Sequence, residues 1–367
     1  VQLDLPYLTD PALRIGGLLK QHPTDFVVEE LPAYEPAGEG EHLFLWVEKT
    51  GLSTPDLVGH VARVLRISRD DVGVAGLKDR HAVTRQWISV PAKAGSAAEA
   101  ITCEQVRLLR AERHRNKLKT GHLRGNRFQI TVRKVLPEGA AHLPQLLAEL
   151  SERGLPNYYG EQRFGHAGET LALGVSLLRG EQMPASIPFQ RRKFLTRMAL
   201  SAVQSELFNR VLAARLTNGT LHRVLPGDVL QKVASGGLFT AQELETEQAR
   251  FAAREVVPTG PMFGPKMKSA VGEVAELELG VLSEFGLQPE HFTRYRQLTA
   301  GTRRPLVIWP AELSGNWDAA TGTVAVQCSL PPGSYATILL RELMKNDQDR
   351  TAEPMDGDEL GEITSAD

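Results

Sequence analysis

The sequence predicts a mixed α+β protein, in which a sheet domain made by both ends of the chain is interrupted by an insertion. Three observations predict it. A clean alternating strand, FQITVRKV at 128 to 135, lies in the first third, and a second of the same kind, TVAVQCSL at 323 to 330, returns near the end. Between them the chain is irregular and punctuated by glycine and proline. The 367 residues suit two domains with a core each, and no internal repeat points to a solenoid or propeller.

Along the chain, Ser53 or Thr54 caps a helix that has Pro55 in its first turn and Leu57, Val61, Val64 and Leu65 at helical spacing. A short strand, VGVAG at 72 to 76, a turn, and a strand rich in β-branched and aromatic residues, VTRQWISV at 83 to 90, follow. In 128 to 135, Phe128, Ile130 and Val132 point one way and Gln129, Thr131 and Arg133 the other. A helix carrying Leu143, Leu146, Leu147 and Leu150 stops at Gly154. NYYGEQRFG at 157 to 165 precedes a long helix with Leu200, Val203, Leu207 and Val211 on one stripe. LPGDVL at 225 to 230, SGGLFT at 235 to 240 and PTGPMFGPK at 258 to 266 read as linkers. In 323 to 330, Val324, Val326, Cys328 and Leu330 alternate inward. The expected division is 1–155 and 305–346 for the sheet domain, 156–304 for the insertion, and 347–367 for an acidic, disordered tail.

The formal charge of −2 hides a segregation: residues 347 to 367 hold −7, so the first 346 residues carry +5. Ten Lys or Arg and one acid fall between Val106 and Lys134, with Arg191, Arg192 and Lys193 as a second cluster. Such stretches suit a phosphate backbone, or simply a solvated face. Two cysteines, Cys103 and Cys328, are too few for a disulfide framework. The apolar runs, LFLWV and PLVIWP, fall far short of the roughly 20 residues of a membrane helix, and the first residues lack the pattern of a signal peptide. A cytoplasmic, monomeric protein is expected.

The ten histidines form no HExxH or HxH, and no cysteine pair has metal spacing. GPMFGPKMKS at 260 to 269 fails the spacing of a phosphate loop, no GxSxG elbow occurs, and Gly16-Gly17 lacks the third glycine of a dinucleotide fingerprint. No metal and no cofactor is expected. In AGLKDRHAVTRQW at 75 to 87, Lys78, Asp79, Arg80 and His81 crowd one turn. Such a turn is either merely solvated or holds Asp79 ionised between two cations, as a nucleophile or base requires.

GLKDRHAVTRQ at 76 to 86 resembles the catalytic motif of the TruD family of tRNA pseudouridine synthases, and DFVVEE at 25 to 30 resembles its N-terminal block. NRF at 126 to 128 is similar to its Asn-x-Phe element, LPPGSYATILLREL at 330 to 343 resembles its C-terminal block, and NYYGEQRFG resembles the start of its inserted TRUD domain. The resemblance implies a mainly antiparallel-sheet pseudouridine synthase catalytic domain split by that insertion. It implies that uridine 13 of tRNA is isomerised with Asp79 as the catalytic carboxylate, and that Phe26, Asn126 and Phe128 contact the target nucleotide. Tyr335 stands where the family has Phe, which keeps a stacking ring and adds a hydroxyl. Lys78 and Arg80 then either position Asp79 or grip phosphates of the substrate, and the basic run would hold the tRNA backbone beside the site. The rival readings are a tRNA-binding protein or chaperone without catalysis, and a small-glycoside hydrolase, which ordinarily needs paired carboxylates.

Overall fold

The computed structural model describes residues 5–165 and 168–346. The chain begins with strands β1 (Phe26–Pro32) and β2 (His42–Thr50), then helix α1 (Thr54–Leu65). α1 starts because the Ser53 hydroxyl accepts the Asp56 amide, and it stops because Arg66 turns into the left-handed region at φ 54°. Strands β3 (Gly73–Val74), β4 (Val83–Pro91), β5 (Val106–His114) and β6 (Leu123–Val132) follow, then the single turn α2 (Pro137–Ala140) and helix α3 (Leu143–Arg153).

After β7 (Leu155–Pro156) come α4 (Glu169–Arg179), α5 (Phe189–Thr217), β8 (Val229–Lys232), β9 (Leu238–Thr240), α6 (Leu244–Ala252), β10 (Val256–Met262) and α7 (Gly272–Glu284). The last elements are β11 (Thr302–Pro305), β12 (Val307–Ile308), β13 (Ala311–Asp318), β14 (Thr323–Leu330) and α8 (Ala336–Met344).

The principal sheet runs β13-β14-β6-β1-β4-β2-β5, with β3 beside β4. Only β1 and β4 are parallel in it. Strands from both ends of the chain therefore meet at the β14/β6 seam, where Cys328 lies opposite Phe128. Further across, Phe128 faces Val28, Val28 lies beside Thr84, and Thr84 faces Lys49. That row belongs to one sheet face, because side chains alternate along each strand.

The face is apolar toward β14, where Val324, Val326, Cys328 and Leu330 are all buried, and apolar again under α1, where Leu57 and Val61 pack on Leu45 and Val47. Near its middle it turns polar with Glu30, Lys49, Thr84 and Gln86, all buried.

A second sheet, β11-β10-β8-β9, packs on α5. Here the linker reading of 225 to 240 and 258 to 266 is corrected. Residues 256–262 are a fully buried strand despite Pro258 and Pro261, while 229–232 and 238–240 are its neighbours. Proline is tolerated because β10 changes partner midway: it pairs with β8 through Pro258 and with β11 from Thr259 onward, so neither edge is paired along the whole strand. Inside this unit the Arg303 guanidinium grips Glu278 at 2.7 Å and the Thr259 hydroxyl at 3.0 Å, and Arg215 grips Asp228 at 2.8 Å. β7 pairs with β12, so the chain leaves and re-enters the principal sheet region at adjacent places.

The ends of the described chain are also tied together. The Leu8 and Thr9 amides donate to the Glu342 carboxylate of α8 at 3.0 and 3.1 Å, and the Ile15 amide donates to the Leu343 carbonyl. The acidic segment 347–367, expected to be disordered, lies outside the described residues. Among the described residues no helix is long and apolar enough to cross a membrane.

Candidate active site

The turn between β3 and β4 is anchored at its two ends by the fully buried Ala75 and Ala82. Between them the backbone is held from two other elements. The Thr54 hydroxyl at the start of α1 accepts the Lys78 amide at 2.8 Å. Lys49 of β2, fully buried, donates its ammonium to the carbonyls of Asp79 at 2.9 Å, Lys78 at 3.5 Å and Leu52. A cation that satisfies three carbonyls fixes this turn more firmly than turn propensity alone. Burial pulls the Lys49 ammonium down to about 8, against the attraction of the Asp79 carboxylate.

Asp79 projects from this braced turn with its side chain 31 % exposed. One carboxylate oxygen accepts the His81 amide at 3.0 Å, and the other meets the Lys20 ammonium at 2.6 Å. Partial burial raises the affinity of this carboxyl for a proton. The Lys20 charge and hydrogen bond, helped by the His81 amide, outweigh it and hold Asp79 below the ordinary carboxylate range. Lys20 carried no signal in the sequence: it is a lone cation far upstream that only the fold brings here.

The expectation that Lys78 and Arg80 flank and ionise Asp79 is corrected. The Lys78 side chain lies inward, where its ammonium pairs with Glu30 at 2.8 Å, both side chains almost fully buried. A buried ammonium needs a partner, and Glu30 supplies it. Arg80 points outward and is exposed.

The predicted nucleotide-contacting residues Phe26, Asn126 and Phe128 do lie together on the same sheet face. The rings of Phe26 and Phe128 meet edge to face at 6.1 Å, and Lys20 sits over the Phe26 ring at 5.2 Å while it holds Asp79. Both rings are at least nine-tenths buried, so packing accounts for most of their surface. Asn126 stands opposite Glu30 on one side and Leu330 on the other. Gly125 beside it is obligatory, because a Cβ there would lie 2.3 Å from the Leu330 carbonyl oxygen.

The Asn126 Oδ1, the Thr84 hydroxyl and the Gln86 amide nitrogen are buried without a hydrogen-bond partner. Such unpaired groups are rare in the interior of a protein. The structure does not bring Tyr335 against Phe26 or Phe128. It caps the start of α8 and packs edge to face on Tyr159 at 5.9 Å, whose ring also carries the Arg304 guanidinium at 4.1 Å.

The basic run is not one patch. Its first part is on β5 at one edge of the sheet, and its last part is on β6, with β1, β4 and β2 between. Five of its ten cations carry carboxylate partners: Arg107 with Glu48, Arg110 with Glu112, Arg115 with Glu39, Arg127 with Glu29 and Glu312, and Arg133 with Asp25. Cys328 is a core thiol that burial pushes up to about 12. Among the described residues no cluster of three or more His, Cys, Asp or Glu side chains is arranged to hold a metal ion.

Comparison with known proteins shows which family the chain resembles along its length. The family model for tRNA pseudouridine synthase D (TruD) matches residues 2–187 and 190–343. The chain is 41 % identical over 348 residues to the tRNA pseudouridine synthase D of Anaeromyxobacter dehalogenans strain 2CP-C, covering 94 % of this chain and 97 % of that one. It is 41 % identical over 344 residues to an enzyme of the same name from Thermus thermophilus, covering 93 % and 92 %. A crystal structure from Methanosarcina mazei, described under the same name, superposes with a TM-score of 0.74 at 27 % identity, covering 93 % of this chain and 96 % of that one.

Proposed function

Since this chain belongs to the TruD family of tRNA pseudouridine synthases, we propose that it converts uridine 13 of tRNA to pseudouridine with Asp79 as its catalytic carboxylate. The reaction breaks the bond from ribose C1′ to uracil N1, rotates the base and joins C1′ to C5. The C5 proton is lost and a proton ends on N1, so substrate and product are isomers.

The observation that carries the assignment is the carboxylate of Asp79, partly exposed on a braced turn and kept ionised by Lys20. An anion in that setting can add to uracil C6, attack C1′ or take the C2′ proton, and each of these routes starts from the same ionised state. Lys20 is a positioning residue here, since it acts on the substrate through Asp79.

The uridine must leave its stack to reach Asp79, which costs a few kcal/mol, and stacking on aromatic rings returns about 1 to 3 kcal/mol per base. Phe26 and Phe128 supply rings on the same face. Asn126 supplies an unpaired amide oxygen, an acceptor suited to a uracil N–H. Arg80, exposed beside Asp79, suits a phosphate, whereas Lys78 supports the site from within through Glu30. Tyr335 belongs to the wall formed with Tyr159 and Arg304. The unit 156–304 is the insertion in this reading, supported by the pairing of β7 with β12 at its root.

The experiment is chemical mapping of pseudouridine in unmodified tRNA transcripts, with wild type beside Asp79→Asn. Wild type should mark uridine 13, and the variant should bind tRNA and mark nothing. Marking by the variant at the wild-type rate removes Asp79 from the chemistry, and marking elsewhere corrects the site.

A further inference from the structure

Beside the catalytic turn, on the outer side of α1, lies a groove of about 930 Å³. Arg63, Arg66, Arg69 and Arg80 line it, with His60 and a single carboxylate, Asp56. Asp56 is occupied at the helix cap, where one of its oxygens accepts the Ser53 hydroxyl at 2.7 Å. None of the four arginines has a carboxylate partner among the described residues, and all four are exposed. Arg63 touches only the ring nitrogen of His60, at 3.4 Å. The contrast with the basic run is direct, since five cations there are paired within the protein.

Four unpaired guanidiniums around one concavity raise each other's electrostatic energy, and the arrangement gains most when an anion with several charges enters. The groove is also joined to the chemistry. Leu52 lines it, and the Leu52 carbonyl and the Asp79 backbone are held by the same Lys49 ammonium. Arg80 is the next residue after Asp79.

We infer that this groove grips consecutive phosphates of the RNA strand next to the flipped uridine, and that it supplies more of the salt-dependent binding than the longer basic run on β5. This rests on the reading of the substrate as tRNA. Arginine suits the task because its fork meets phosphate oxygens two at a time. The backbone carries no sequence information, so the groove sets register and leaves choice of base to the polar face near Asn126.

The test measures binding of unmodified tRNA transcript as a function of salt for three proteins: wild type, Arg63→Gln/Arg66→Gln/Arg69→Gln, and Arg107→Gln/Arg110→Gln/Arg115→Gln. Each phosphate that is no longer neutralised lowers the slope of log affinity against log salt by about 0.7 to 0.9. The groove variant should have a slope shallower by about two and bind at least tenfold more weakly at low salt, while the strand variant changes by less than one. The groove variant should keep the wild-type circular dichroism spectrum and melting temperature, which shows that it is folded. If it fails to fold, the single charge reversals Arg63→Glu and Arg107→Glu replace the pair. Equal slopes for groove variant and wild type, or a larger loss in the strand variant, overturn the inference while the functional reading stands. A wild type that binds no tRNA removes both.

Discussion

The Lys20 ammonium and the Asp79 carboxylate, 59 residues apart in the chain, meet at 2.6 Å, and the same ammonium covers the Phe26 ring at 5.2 Å. One cation thus fixes the charge state of the carboxylate and its place beside an aromatic wall.

Removal of that cation by Lys20→Met should raise the Asp79 pKa, since burial would then be opposed only by the His81 amide and charge. Charge-assisted hydrogen bonds are worth about 1.5 to 3 kcal/mol, so kcat should fall roughly tenfold to a hundredfold. The fall should steepen toward low pH, where the freed carboxyl takes a proton. A single-turnover pH profile checks this, and an acid limb at the wild-type position would exclude Lys20 from setting the charge of Asp79.

Lys49 predicts an effect on the alkaline side. Its ammonium is depressed from 10.5 to about 8 in the folded protein, so between those values the unfolded chain binds the extra proton. Stability from this group therefore rises with pH across that window, the reverse of a lysine gaining a carboxylate partner. Asp79, Lys78 and Asp56 are the charges acting on it, with Lys20 and Glu30 behind them. Above pH about 8 the turn loses a cationic brace, and kcat should fall while tRNA affinity at constant salt holds. In Lys49→Met the pH dependence of the melting temperature in that window should flatten.

Phe128→Ala should cost about 3 to 5 kcal/mol of stability, the usual range for a core phenylalanine. Phe128→Leu should keep most of the stability and lose kcat through the missing ring. Urea unfolding beside kinetics separates the two, and a Leu variant with wild-type kcat would make this ring purely a packing element.

In the second sheet unit, Asp228→Ala strands the buried Arg215 guanidinium and should cost about 3 to 5 kcal/mol. Arg215→Met/Asp228→Leu should recover most of it. Thermal melts decide, and equal losses in the single and double variants would refute the pairing as the cause.

The two thiols should differ in reactivity. Cys103 is exposed, while Cys328 is buried in the β14/β6 seam. An aromatic disulfide reagent should titrate one thiol in the native protein and two in denaturant. Two fast thiols in the native state would mean that the seam opens.

The parts legible in the sequence are those written in local signals. The Ser53 cap and the leucine and valine spacing give α1 to within a residue or two, and alternation gives the inward faces of β6 and β14. The KDRH turn is a run of neighbours, so Asp79 stands out. Lys20, Glu30 and Lys49 reach the same turn from two other strands and a loop, and pairings between distant segments leave no periodic trace. Proline misled the reading of 256–262, because its penalty depends on which edge of the strand is paired. Charge counting pointed to the β5 run and missed the groove, since a count does not show which cations are already neutralised by Glu39, Glu48 and Glu112.

The seam between β14 and β6 also sets an order in time. A ribosome delivers β1 to β6 early, yet the partner that covers the outer edge of β6 emerges only after the whole second sheet unit. Until then the strand bearing Asn126 and Phe128 shows a row of unpaired backbone groups, the kind of edge that recruits other chains. A nascent or truncated chain ending before Thr323 is therefore prone to associate through that edge. The Asn126 and Phe128 side of the sheet is therefore closed only when residues 323–330 pair with β6.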